Sequence, residues 1–246
     1  VEEALGTSQK GSRRSLRVIK LSIFSVLMIL ISGLTSLVAS TSLITFAPFD
    51  NPVANGMLNY QLSALPVVGL ALLVTFLFAG RVRLRYLNFR RTGPLRPYFA
   101  QPVGGRWESD GWYLALIMCG IVGVVTFFQF LPGGFTFHWA TLMLVIPFAA
   151  SNAFIEETLY RLPYVTMGEN DTSSNTYGLV MGSVVFGVMH YWGVAPAGLI
   201  GVVMSAFLGF ILAKSMQETR GFYWAFMIHF LLDIVVIFFI LNQAPQ

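Results

Sequence analysis

Charge is what this chain lacks most. Of its 246 residues only 11% are Asp, Glu, Lys or Arg, against about a quarter in an ordinary soluble domain. Hydrophobic residues make up 56% and the mean hydropathy is +0.71. Together these exclude a soluble globular domain and point to a polytopic membrane protein. Cysteine is nearly absent. Cys119 is the only one and lies in an apolar segment, so there is no disulfide framework and no cysteine zinc site, and it reads as a packing residue. No HExxH is present, which removes the usual zincin arrangement. No GxSG-type setting surrounds Ser183 or Ser205, and both read as packing positions in small-residue helices. There is no long polar stretch for a second domain and no low-complexity tail. The first apolar run is too long, and lacks the small-residue pattern, for a cleavable signal peptide.

What is present is a series of apolar runs, expected to form an all-α transmembrane bundle of about seven helices with its active site in the second half. A polar, basic tail over 1–20 carries Lys10, Arg13, Arg14, Arg17 and Lys20. A single helical domain follows over 21–241. Its spans are expected at 21–46, 62–79, 112–131, 138–161, 177–192, a sixth ending near Lys214, and 222–241. Pro132-Gly133-Gly134, the polar run GENDTSSNT over 168–176, and Gly193 with Pro196 mark turns. His138 is expected to have an interfacial role at a helix start. The glycines at 182, 187, 193, 198, 201 and 209 are expected to let helices approach closely.

The basic residues are distributed one-sidedly. The tail, the 81–111 linker and the 214–220 loop hold Lys and Arg, whereas the loops near 47–61, 131–137 and 193–196 hold none. This places the N-terminus and the linker in the cytoplasm of a multi-pass cell-membrane protein and the C-terminus outside. The linker run RVRLRYLNFRR interleaves arginine with aromatic and leucine residues, which suits an anionic lipid surface at 81–96. Nucleic acid is set aside as a partner because lipid headgroups are already adjacent.

Five charged or titratable residues have no surface to explain them: Glu156, Glu157, His190, His229 and Asp233, with Arg161 at the margin. Unpaired charge in hydrocarbon is strongly unfavourable, so these groups should face one another. Glu157 and Arg161 are four apart and share a helix face, so they can pair. Glu156 points about 100° away and stays free for chemistry. His229 and Asp233 are also four apart. So are Phe186 and His190, which puts an aromatic ring one turn from the imidazole. Glutamate with histidine can act as a general acid/base pair on water, and a second histidine can donate to an oxyanion. Glu156, His190 and His229 could instead hold a divalent metal such as zinc. With His190 about thirteen residues into its segment, roughly 20 Å, its depth relative to Glu156 stays open between tilt, a late helix start and a re-entrant path.

Three motifs, EETLYR at 156–161, FGVMH at 186–190 and HFLLD at 229–233, resemble the EExxxR, FxxxH and Hxxx(N/D) motifs of the CAAX-processing and bacteriocin-processing intramembrane protease family. That family, also called Abi, includes the type II CAAX prenyl endopeptidases (CAAX prenyl protease 2). The resemblance covers about 110–240. It implies a membrane-embedded helical endopeptidase opening toward the cytosol. Glu156 and His190 would activate water, His229 and Asp233 would stabilise the oxyanion, and Glu157, Arg161 and Phe186 would support them. Family members are described both as metalloproteases and as metal-free glutamate enzymes, so the cofactor is either none or a divalent metal. Asp233 stands where many CAAX proteases have asparagine. An ionised aspartate would repel an oxyanion, so it must be protonated, orient His229 or bind metal.

The implied substrate is a membrane-associated protein or peptide, a prenylated one in the CAAX case. The alternative functions are a bacteriocin-immunity or scaffold protein without catalysis, and a small transporter. A transporter should show paired repeats in both halves, and the buried charge lies in the second half alone.

Overall fold

A computed structural model describes residues 2–41, 44–80, 82–96, 104–137, 139–171 and 176–243. His138, Arg81 and residues 172–175 of the expected 168–176 loop lie outside them. The described residues form an all-α bundle of eight α-helices: α1 (Glu2–Ser40), α2 (Pro52–Phe78), α3 (Trp107–Phe130), α4 (Trp139–Tyr160), α5 (Leu162–Asp171), α6 (Thr176–Met189), α7 (Gly198–Thr219) and α8 (Tyr223–Leu241). Six helical stretches are long and apolar enough to cross a membrane: 14–40, 52–78, 107–133, 139–169, 198–219 and 223–241. The protein is therefore a multi-pass membrane protein.

Several helix bounds differ from the sequence expectation for local reasons. Helix α1 runs without interruption from the basic tail to Ser40. It stops six residues short of the expected end. Helix α2 starts ten residues before the expected Leu62. The Asn51 side chain accepts from Val53 N and Ala54 N, and Pro52 occupies the first turn, a strong helix start. Helix α3 begins at Trp107, with Glu108 and Asp110 in its first turn where acids complement the helix dipole. Residues 168–171, expected to be loop, complete α5.

The two ends of the bundle are fastened differently. At one end the 82–96 linker is tied to the α7–α8 turn: Phe222 N donates to Asn88 O, Trp224 Nε1 to Arg91 O and Asn88 Nδ2 to Arg220 O. The Glu218 carboxylate gathers Trp107 Nε1 at 2.7 Å, Arg96 N at 3.2 Å and the Lys214 ammonium. A Cβ at Gly221 would collide with Arg90 O, so the linker backbone fits there only against glycine. A two-residue antiparallel pair, Pro94–Leu95 with Gly105–Arg106, closes the linker. At the other end Asn51 Nδ2 donates to Leu241 O, Thr136 N to Asn242 O and Gln129 Nε2 to Val194 O. Among the described residues, every Lys and Arg outside the bundle core belongs to the first end, the basic end. The opposite end, at 44–51, 131–137 and 193–197, has none.

The path of the chain sets the level of His190. Pro163 has no N–H to give to Leu159, so α4 breaks at Arg161 and restarts as α5. From Glu156 to Asp171 the chain climbs about 22 Å toward the basic end, and from Thr176 to His190 it returns about 21 Å. The climb and the return cancel. Helix α6 packs antiparallel to α5 and α7 through glycine: a Cβ at Gly178 would sit 2.8 Å from Val165 Cα, and one at Gly187 would sit 2.7 Å from Val202 O. His190 thus follows the end of α6 level with Glu156; α6 starts at Thr176, one residue before the expected start, so the climb of α5 rather than a late start brings it there.

Candidate active site

Three elements bring the site together: the last turn of α4, the end of α6 and the first half of α8. Glu157 and Arg161 are both completely buried. Their side chains approach to 2.9 Å between Glu157 Oε1 and Arg161 Nη2, as the i,i+4 spacing requires. The same Oε1 accepts from His229 Nδ1 at 2.6 Å. Arg161 presents its guanidinium carbon 3.5 Å above the Phe186 ring centre. Phe186 in turn lies 4.2 Å, centre to centre, from the His190 ring. Helices α4, α6 and α8 are thus joined through one buried ion pair and the aromatic ring beneath it.

The second carboxylate is held in another way. Glu156 Oε1 accepts from Asn152 Nδ2 at 3.2 Å, and that amide also donates to Asp233 Oδ2 at 3.1 Å. His229 Nε2 lies 3.4 Å from Glu156 Oε2 and 3.6 Å from Asp233 Oδ1. These are near contacts rather than good hydrogen bonds, and Glu156 Oε2 has no hydrogen-bond partner among the described residues. His190 Nδ1 lies 2.9 Å from Phe186 O. A carbonyl only accepts, so Nδ1 carries the hydrogen, and the neutral ring keeps its Nε2 lone pair for other use.

Glu156, His190, His229 and Asp233 all line one cavity of about 550 Å³. A smaller cavity of about 110 Å³ reaches His190, His229 and Asp233 from between α3, α7 and α8. All the sequence-expected site residues therefore converge. Glu157 and Arg161 stand behind the cavity wall rather than on it, and Phe186 lines only the smaller cavity.

Two contributions escape sequence reading. Asn152, one turn before Glu156, holds both cavity carboxylates with one amide. Its only signal is an uncharged polar residue four positions before a glutamate in an apolar helix. Glu157 also does more than pair with Arg161, because it fixes the His229 ring. The Glu157 bond at His229 Nδ1 leaves Nε2 available as a ligand atom, yet the expected metal set of Glu156, His190 and His229 is not gathered for coordination. Among the described residues no three His, Cys, Asp or Glu side chains form a group that could hold a metal ion. The residues present do not fit the metal.

Residues 136–235 match the family model described as type II CAAX prenyl endopeptidase Rce1-like, the family the three motifs resemble. The matched segment contains every polar residue of the site. No curated protein and no solved structure matches the chain.

Proposed function

We propose that this chain is an intramembrane endopeptidase that hydrolyses a peptide bond of a membrane-associated protein or peptide with water as the nucleophile. The observation that carries this reading is the unequal engagement of the polar groups. Glu157 meets Arg161 and His229 away from the cavity, whereas Glu156 and His190 line it and have no hydrogen bond at Glu156 Oε2 or His190 Nε2 among the described residues. A water between them would donate one hydrogen to each and present its oxygen to a carbonyl carbon. Glu156 takes the proton as the C–O bond forms and passes it to the departing amine as the C–N bond breaks.

His229 is the oxyanion donor in this scheme. Because Nδ1–H is given to Glu157, donation from Nε2 requires the imidazolium form. Asp233, held by Asn152 and 3.6 Å from Nε2, orients the ring and balances its charge. Of the roles open to Asp233 from the sequence, orientation is the one this geometry favours. Glu157, Arg161 and Phe186 are positioning residues.

The one-sided distribution of Lys and Arg supports a cytoplasmic N-terminus and basic end. Arg83, Arg85, Arg90, Arg91 and Arg96 are exposed beside exposed Leu87 and Phe89, a surface suited to anionic lipid headgroups. The test of the activity compares peptide termini in membranes and medium from cells making wild type or Glu156→Gln at equal membrane levels. Termini that depend on Glu156, reproduced by purified protein, support the reading. Identical termini in both, with good coverage of membrane and small secreted peptides, would sink it.

A further inference from the structure

The hydrogen-bonding groups on the wall of the larger cavity are mostly engaged with the protein. Thr35 Oγ1 donates to Ser32 O and lies 3.3 Å from Tyr160 Oη. The Asn152 amide is divided between Glu156 and Asp233, and His190 Nδ1 is given to Phe186 O. Ser36 is exposed on α1, and Gln243 lies beyond the end of α8. Tyr60 of α2 differs from all of these. It lines the same cavity as Glu156, His190, His229 and Asp233, and its hydroxyl has no hydrogen bond among the described residues. A buried tyrosine hydroxyl usually finds a partner, so a phenol left open on a cavity wall points to a group that binds there.

Tyr60 is held in place from both sides of its ring. The next residue, Gln61, is buried and donates from Nε2 to Phe148 O at 2.9 Å. Phe148 lies about two turns before Glu156 on α4, so this bond sets the register of α2 against the helix that carries the reactive glutamate. The Tyr60 ring packs against the main hydrophobic core, which limits its rotation. Its hydroxyl is near enough to Glu156, Tyr160 and Asp233 to interact with them electrostatically.

We infer that Tyr60 is a further catalytic residue, whose hydroxyl donates a hydrogen bond to the substrate oxygen that becomes the oxyanion. The inference rests on the protease reading. In that reading His229 Nε2 is the donor, yet it stands 3.4 Å from Glu156 and 3.6 Å from Asp233 and must be an imidazolium to donate. A phenol is neutral, holds its proton at neutral pH and donates without that condition. As the water oxygen adds to the carbonyl carbon, the C=O electron pair moves onto oxygen and the Tyr60 O–H bonds to the charge that forms. When the C–N bond breaks, the C=O bond is restored and Tyr60 has kept its proton throughout. Tyr60 lies outside the matched segment 136–235, so the first half of the chain supplies a reacting group as well as cavity wall.

The test uses purified protein and a peptide that wild type cuts and Glu156→Gln does not. Tyr60→Phe removes the hydroxyl and keeps the ring. Its kcat should fall about 10²-fold, the scale of one oxyanion donor, with KM little changed. The melting temperature in detergent should also be unchanged, because the hydroxyl bonds to nothing within the protein. An unchanged kcat would overturn the inference. So would a rise in KM alone, which would make Tyr60 a binding group for the uncut peptide. A lower melting temperature or a failure to fold would show the hydroxyl bonded inside the protein, and would overturn it too. Were no peptide cut in a Glu156-dependent way by wild type, the protease reading would fail and the inference with it. Cleavage by wild type that Tyr60→Phe matches would remove the inference alone.

Discussion

Two neighbouring carboxylates on α4 meet opposite surroundings. Glu157 is wholly buried and shares one oxygen between Arg161 and His229. Each keeps its Oε2 without a hydrogen bond among the described residues, but Glu156, about 100° around the helix, lines the cavity and Glu157 does not. The first wall of the site is wired for stability and orientation, and the second is left open for reaction. Buried charge is tolerated on one side because it is paired, and on the other because it borders a cavity rather than hydrocarbon. The difference teaches that an adjacent acid pair in an apolar helix need not be a shared-proton dyad. Helical geometry alone can separate a structural acid from a reactive one.

The largest expected effect breaks the open wall alone. Glu156→Gln should lower the cleavage rate about 10²–10⁴-fold, the usual contribution of a general base. Its melting temperature in detergent should stay unchanged, because the Gln carbonyl can still accept from Asn152. A matching loss of stability would erase the contrast between the two walls. Glu157→Gln should do the reverse. It leaves Arg161 buried without its counter-charge, and removing one partner of a buried pair costs about 3–5 kcal/mol. Thermal unfolding should register that loss directly, and activity should fall through misorientation of His229. A Glu157→Gln protein as stable as wild type would show that the buried pair does not hold the wall together.

The next effect sharpens the comparison where the walls meet. Phe186 lies between Arg161 on one side and the His190 ring on the other. Phe186→Leu keeps an apolar group but removes the ring face, and a desolvated cation–π contact contributes about 2 kcal/mol. Stability should drop by about that amount in thermal unfolding. The rate constant should fall with KM little changed, since the imidazole gains freedom while the cavity keeps its shape. A change in KM alone would place Phe186 in substrate binding instead.

The spacing of Glu157 and Arg161 made their pairing legible in the sequence, and the same logic joined Phe186 to His190. The level of His190 was not legible, because residues 168–171 have the composition of a loop yet continue a helix. Tertiary packing of α5 against α6 overrides their weak local preference, and the ten residues of α5 decide where α6 begins. The start of α2 could have been read from Asn51-Pro52, a capping residue followed by proline. Asn152 carries no charge to mark it in an apolar helix, although its amide holds two carboxylates.

The smallest expected effect concerns Asp233. Its Oδ2 accepts from Asn152, and its Oδ1 stands 3.6 Å from His229 Nε2, beyond a good hydrogen bond. Asp233→Asn keeps an oxygen for the Asn152 amide and removes only the charge. If Asp233 serves chiefly to orient the imidazole, the cleavage rate should stay within about tenfold of wild type, the scale of one hydrogen bond of about 1 kcal/mol. Stability should be unchanged or slightly higher, since one of three carboxylates around His229 is neutralised. Loss of activity as deep as that of Glu156→Gln would instead give the Asp233 charge a direct part in the reaction. The open wall would then hold two reactive acids rather than one.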